Sequence, residues 1–515
     1  MTFYNAEVLS KINSRRSNRT AAADQLGPKS LKAAHIAEVS ALTKAAQKAL
    51  LLSILAALLA LFSDSAEVFA FVVVIVSGIA FWDLYLLLAY PRQITFAQIL
   101  GVSILLGYGL GALIYCVANG TWHATDDQYW SNEGLFFDQA HLALALAVSL
   151  LASAGLFILG AFQKPVRFPT IETSVGATHQ RLVWSGLILT SVAIARGDLG
   201  YMGAIASDAG HVAPLGAIAN LIVPALVPYT VLLLVMEKRL NRRLALTVAL
   251  VVFGTSLVLM GRRYLLYSIV MSFVALGIGG LSLRTLKRRT LLLFALSALL
   301  LYEGSRAFMA VRLAGWSLQP GESLVVVAKE AIPLLAGEQQ SALQEALIEN
   351  SGSRPFILSY FAGLMQATRP GLPLLGAEFG YSLQMTVPSF LMPSKLGGLA
   401  SSPEELVHPY YGISIFDAPG SILVSGYDDF GWFGTLLYPL ALVILYSGFY
   451  RMICALTRDP FLRIFVWFAL GFQLLFIEQG LAEQVVTLRN LVIVVSVGLI
   501  LTRFPLWLGI QRNEL

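Results

Sequence analysis

Apolar residues fall in repeated runs of about 17 to 25 along this chain, separated by polar or charged connections. A helix of that length covers the ~30 Å of a hydrocarbon core, so the runs predict membrane spans. They lie at about 49–63, 67–90, 96–118, 139–162, 181–197, 215–236, 244–260, 265–282, 290–305, 430–450, 464–484 and 489–509. The expected fold is an all-α integral membrane protein of about 12 transmembrane helices.

Two connections are long, 118–138 and 306–429. The second holds apolar stretches too short to span, Leu324 to Ala336 and Phe356 to Ala367, punctuated by Pro333, Gly337, Pro355, Pro370, Pro373, Pro388 and Pro393. That pattern predicts short interfacial or re-entrant helices in a large external loop. The chain therefore divides into an arm at 1–48, nine spans over 49–305, the external loop at 306–429, and three spans with a short tail over 430–515. No internal repeat or low-complexity tract is evident.

Composition agrees: 57% of the 515 residues are apolar and 13% charged, with a mean hydropathy of +0.73, which excludes a water-soluble enzyme. The net charge of +5 conceals a segregation. With the N-terminus inside, cytoplasmic segments hold 25 Lys and Arg and outer segments hold 10, as the positive-inside rule requires. Both termini are thus expected in the cytoplasm. The basic arm carries Lys11, Arg15, Arg16, Arg19, Lys29, Lys32, Lys44 and Lys48; it is too long for a signal peptide and no small-residue cleavage site follows. Leu31 to Lys48 fits an amphipathic helix on the inner leaflet and, equally, a solvated tail. Cys116 and Cys454, each in an apolar run, offer neither a disulfide framework nor a thiolate metal site. The pI of 9.1 reflects the arm and loops and does not point to nucleic acid.

The informative residues are cations on the outer side. Arg196, Arg262, Arg263, Arg306, Arg312, Arg354, Arg369 and Arg489 face outward in this topology, together with Lys329 and Lys395. A guanidinium is a rigid, permanently charged fork that matches phosphate oxygens, so such a set suits a lipid diphosphate. Each arginine alone is better explained by snorkelling or by an outer carboxylate, and it is the set that points to a function. Gly261-Arg262-Arg263-Tyr264 is the sharpest local signal, two cations in a tight connection between apolar runs. Glu303 and Arg306 have the spacing of a helix-surface pair, and Arg196 with Asp198 and Arg489 near Glu478 and Glu483 allow the same two roles.

Transfer to a hydroxyl needs a group that takes its proton. His408, Asp417, Asp428 and Asp429 are the external candidates, with helix-start chemistry the competing role for the last two. There is no phosphate loop, no HExxH pair and no Cys cluster, so no metal or cofactor is implied. Asp83, inside the second span, must face protein, water or a partner, and Trp82 and Tyr85 supply polar groups near it.

The architecture after residue 49, with Gly261-Arg262-Arg263-Tyr264 and Ser425-Gly426-Tyr427-Asp428-Asp429-Phe430-Gly431-Trp432-Phe433-Gly434, resembles the Wzy-type O-antigen polymerases. This chain departs from them in carrying Gly426 where a carboxylate is common, and in its long basic arm. The resemblance implies a GT-C-like architecture in the bacterial inner membrane. It implies polymerisation of lipid-linked oligosaccharide repeats by glycosyl transfer from undecaprenyl diphosphate at the outer face, without a metal. The outward arginines and Tyr427 would hold diphosphate or glycan, and a polysaccharide chain-length regulator would be a partner. Trp316, Tyr360, Tyr410, Tyr411 and Trp432 would stack on sugars or anchor at head-group depth. An O-antigen ligase fits the same topology; a flippase or transporter and a noncatalytic scaffold are the alternatives of another class.

Overall fold

A computed structural model of the chain describes residues 28–90, 94–119, 122, 135–163, 177–195, 222, 225–233, 235, 262–279, 303–304, 306–315, 317, 324–336, 341, 343, 357–367, 374–387, 391–392, 403–413, 420–457 and 459–507. Every regular element among them is helical. In chain order these are α1 (Pro28–Leu61), α2 (Ala66–Ala89), α3 (Phe96–Ile104), a π-helical turn (Leu105–Leu110), α4 (Gly111–Asn119), α5 (Gln139–Phe162), α6 (Ala177–Ala195) and α7 (Arg262–Ile278). The second half holds α8 (Leu324–Ala336), α9 (Ile357–Gln366), α10 (Ala377–Thr386), α11 (Pro403–Tyr411), α12 (Ile422–Leu456), α13 (Pro460–Leu475) and α14 (Leu481–Trp507).

Five of the described helices are long and apolar enough to cross a membrane: Leu42–Leu61, Ala66–Ala89, Phe96–Val117, Gln139–Phe162 and Ile422–Leu456. The chain is a multi-pass helical bundle. The run expected at 244–260 lies wholly outside the described residues, that at 290–305 mostly and that at 215–236 by half. Three of the long helices begin where the sequence supplies a side-chain cap. Ser65 accepts the Val68 N–H before α2, Thr95 forms a capping box with Gln98 before α3, and Asp138 accepts the His141 N–H before α5. Each such cap contributes on the order of 1 kcal/mol by satisfying an otherwise orphaned N–H.

Between spans there is no water to exclude, so close packing and small residues hold the bundle together. Gly101 lets Phe157 and Ser153 of α5 approach, and the Ser153 hydroxyl donates to the Gly101 carbonyl at 3.0 Å. In and beside the π turn, glycines meet larger partners: a β-carbon on Gly107 would lie 2.7 Å from Ile477, and one on Gly109 2.3 Å from Val76. Outward from this core, Leu50, Ile54, Phe71, Val74 and Phe81 are exposed, as lipid-facing positions should be.

The boundary that the charge pattern puts after Lys48 falls inside α1, a single helix of 34 residues. Lys48 pairs with Asp83 of α2 and sits 4.3 Å above the ring of Phe157 in α5. The intramembrane acid is therefore held by a cation from the first span. Trp82 and Tyr85, its expected polar neighbours, instead lie exposed with ring centroids 5.6 Å apart.

The 306–429 segment contributes α8 to α11 as short helices, in keeping with its broken apolar stretches. Met309, Ala310, Ala314, Val327, Ala331 and Leu343 form a small hydrophobic cluster of their own, separate from the bundle core. α9, in contrast, is buried along most of its length within the bundle core. Two late spans differ from their expected bounds. The run expected from 430 starts at Ser421, and the run expected at 464–484 is interrupted between Leu475 and Leu481.

Candidate functional site

The stretch Ser425 to Gly434, which the sequence marks as the return of the chain into the membrane, is a broken helix. Phe430 (φ −135°, ψ 16°) and Gly431 (φ 61°, ψ −143°) leave helical geometry in the middle of α12. The Gly431 combination is open only to a residue without a β-carbon. On either side, Gly426 and Gly434 bring two pieces of backbone together: a β-carbon on Gly434 would lie 1.8 Å from the Gly426 carbonyl oxygen. Gly426 thus leaves no room for a side chain against Gly434.

A broken helix frees carbonyls, and the loop ahead of α10 takes them. Leu374 N–H donates to the Asp428 carbonyl and Leu375 N–H to that of Asp429, both at 2.9 Å. Leu375 (φ 53°) and Gly376 (φ 89°) then turn through the left-handed region into α10. The Asp429 carboxylate caps this helix from outside, accepting the N–H groups of Glu378 and Phe379 at 2.9 Å each and the Tyr438 hydroxyl at 2.6 Å. Backbone and side chain together clamp residues 374–379 onto the break.

Three more elements complete the centre. From α11, the Tyr411 hydroxyl donates to Asp428 Oδ1 at 2.5 Å, and His408 Nε2 lies 2.8 Å from the Tyr360 hydroxyl of α9. From the start of α14, Leu481 N–H donates to Ser425 Oγ at 3.1 Å, and Ser425 Oγ–H donates to Glu378 Oε1 at 2.5 Å. Gly480 leaves room there: a β-carbon on it would lie 3.1 Å from Ser425 Oγ and 3.2 Å from Glu483 Oε2. Below the acids, Ser421 Oγ lies 2.7 Å from the hydroxyl of Tyr108 in the π turn. His408, Asp428, Asp429, Ser425 and Glu378 are all buried, none more than 3% exposed.

Glu378 carries the clearest electrostatic signal. Burial pushes its carboxyl well above the usual range, the negative charges of Asp428, Asp429 and Glu483 push the same way, and the Ser425 hydrogen bond opposes them. Among the described residues, no group of three or more His, Cys, Asp or Glu side chains is arranged to hold a metal ion.

Of the expected site residues, the structure brings His408, Tyr427, Asp428 and Asp429 to one region. Asp429 has the helix-capping role that competed with catalysis, though for α10 rather than its own helix. Tyr427 packs edge-on against Phe361 and Trp432, with centroids 5.5 and 5.6 Å away. The described arginines do not gather there. Arg306 bonds Glu303 at 3.0 and 3.3 Å. Arg312 stands on the same helical stretch, among the residues of the separate small cluster. Arg489 donates to the Met385 carbonyl at 3.0 Å, at the C-terminal end of α10, and to Asn490 rather than to Glu478 or Glu483. Arg262 and Arg263 open α7, and only their backbone is described. Arg196, Arg354, Arg369 and Asp417 lie outside the described residues.

Sequence reasoning missed Glu378, Ser425 and Tyr438. One signal was available for the first: Glu378 is the only charged residue between Arg369 and Lys395. The chain as a whole matches no protein-family model, no curated protein and no solved structure.

Proposed function

We propose that this chain is a membrane glycosyltransferase that joins lipid-linked oligosaccharide repeat units at the outer face of a bacterial inner membrane, with undecaprenyl diphosphate as the leaving group. The observation that supports this reading most is the buried acid, tyrosine and histidine centre built on the Ser425 to Gly434 stretch, the same stretch that carries the family resemblance. In the proposed reaction an acceptor sugar hydroxyl attacks the anomeric carbon of the donor. The bond from that carbon to the diphosphate oxygen breaks, and its electron pair leaves with the diphosphate. The hydroxyl proton passes to the Asp428 carboxylate, which Tyr411 orients, or to His408, which Tyr360 orients. Outward guanidinium groups, with Arg262 and Arg263 the first to test, offset the charge gathering on the leaving group.

Purified protein supplied with a lipid-diphosphate-linked repeat unit should yield a ladder of longer lipid-linked products, and Asp428→Asn should abolish it. Unchanged substrate in repeated, folded preparations would end this reading. A cell lacking the protein should accumulate single lipid-linked repeats; long unattached glycans would instead identify a ligase.

One observation favours a second reading. A membrane helix broken beside buried acids is the arrangement by which transporters hold an ion or substrate near mid-bilayer. Proteoliposomes that move the lipid-linked repeat across the bilayer without lengthening it would select the transporter.

A further inference from the structure

Four carboxylates meet where α10, α12 and α14 touch, yet they are not equivalent. Asp429 is saturated by three donors, and Asp428 accepts from Tyr411. Glu378 differs. Its Oε1 lies 2.5 Å from Ser425 Oγ, which also accepts Leu481 N–H. Its Oε2 is buried and has no hydrogen-bond partner. An anionic carboxylate oxygen left bare in a packed interior is strongly disfavoured, whereas a neutral acid carrying its proton there leaves only one uncharged donor unmet.

Among the described residues, the charges that act on Glu378 offer no compensation. α12 presents Asp428, Asp429 and the Tyr438 hydroxyl; α14 presents Glu483. Arg489 of α14 is bonded at the opposite end of α10, to Met385. α11, also packed on α10, brings Tyr411 to Asp428 and His408 to Tyr360. We propose that Glu378 is a proton-binding site that governs the seam between α10 and α14: with its proton bound the seam is closed as seen here, and release of the proton drives α10 away from Ser425 and Gly480. The mechanical basis is local. α10 is held at its start by the Asp429 carboxylate, and a new negative charge at Glu378 would stand beside that carboxylate with no cation among the described residues to meet it. Separation admits water to the same acids that the proposed transfer would use, so the site would make that centre accessible only when the proton has left. The inference rests on that functional reading for its consequence, not for its test.

The test uses the full chain in lipid, without substrate. Difference infrared spectroscopy should show a protonated carboxyl band at neutral pH that fades at alkaline pH and is missing in Glu378→Gln. Hydrogen exchange of the 377–386 amides, corrected for the intrinsic pH effect, should accelerate roughly tenfold over the same change in the wild type and stay slow in Glu378→Gln. Ser425→Ala removes the bond that favours the anion, so band loss and loosening should both move to higher pH. A band that survives Glu378→Gln would overturn the proposal, as would α10 exchange that tracks intrinsic rates equally in both proteins. Repeating the titration in sodium and in choline decides the ligand: loosening that depends on sodium would make the site a cation site and overturn the proton. Because no glycan enters these measurements, their failure is separate from a failure to see product ladders.

Discussion

Two carboxylates buried in this bundle, Asp83 and Glu378, are kept in opposite ways. Asp83 has a countercharge: Lys48 reaches it from the first span, with the Phe157 ring beneath the ammonium. Glu378 has a hydroxyl, a glycine and three further acids around it. In a medium of low dielectric constant the first arrangement fixes a charge, and the second makes the charge conditional on a proton. The first is suited to binding spans together, and the second to changing state.

The comparison can be broken most severely at Lys48. Lys48→Met strands a charge on Asp83 between α1 and α2, and should cost about 3–5 kcal/mol, read as a loss of thermal stability in detergent. Adding Asp83→Asn should restore most of it, because the pair would then be removed rather than split. Next in size is Asp429→Asn, which weakens the charge-assisted cap on α10 and the Tyr438 bond by about 2 kcal/mol together; limited proteolysis near residues 374–379 should speed up.

Glu378→Gln should change neutral-pH stability by no more than about 1 kcal/mol, but should alter its dependence on pH. The folded-state pKa is raised, so the contribution of Glu378 is whole below the ordinary carboxylate range of ~4.3 and is lost as pH rises through the folded value. Melting temperature should therefore fall more steeply toward alkaline pH in the wild type than in the variant. The smallest effect belongs to Arg306→Ala. Its partner Glu303 is half exposed, and the loss should stay below about 1 kcal/mol in a melting curve. The same variant keeps its functional meaning: unchanged product ladders would place Arg306 outside diphosphate recognition.

Long apolar spans were legible because length alone marks them, whereas the caps at Ser65, Thr95 and Asp138 were not among the expected features. The break at Phe430 and Gly431 was half legible. Its glycines and acids marked a special place, but not that Gly426 and Gly434 would touch. Glu378 was hidden because its partners lie far off in sequence, at Ser425, Asp429 and Leu481, and no local period joins them. The described arginines show the reverse. Charge and topology selected them, while their bonds to Glu303, Asn490 and a helix-end carbonyl were set by neighbours near in sequence or by the arrival of α10.

The continuity of α1 has a mechanical corollary. From Pro28 to Leu61 the helix is unbroken, a rod of roughly 50 Å that joins its basic N-terminal half to an apolar span. Whatever grips the arm grips the Lys48 ammonium too. A torque applied to its basic end would swing that ammonium about the rod's axis and off the Asp83 carboxylate, turning an event at the membrane surface into an unpaired charge inside the bilayer.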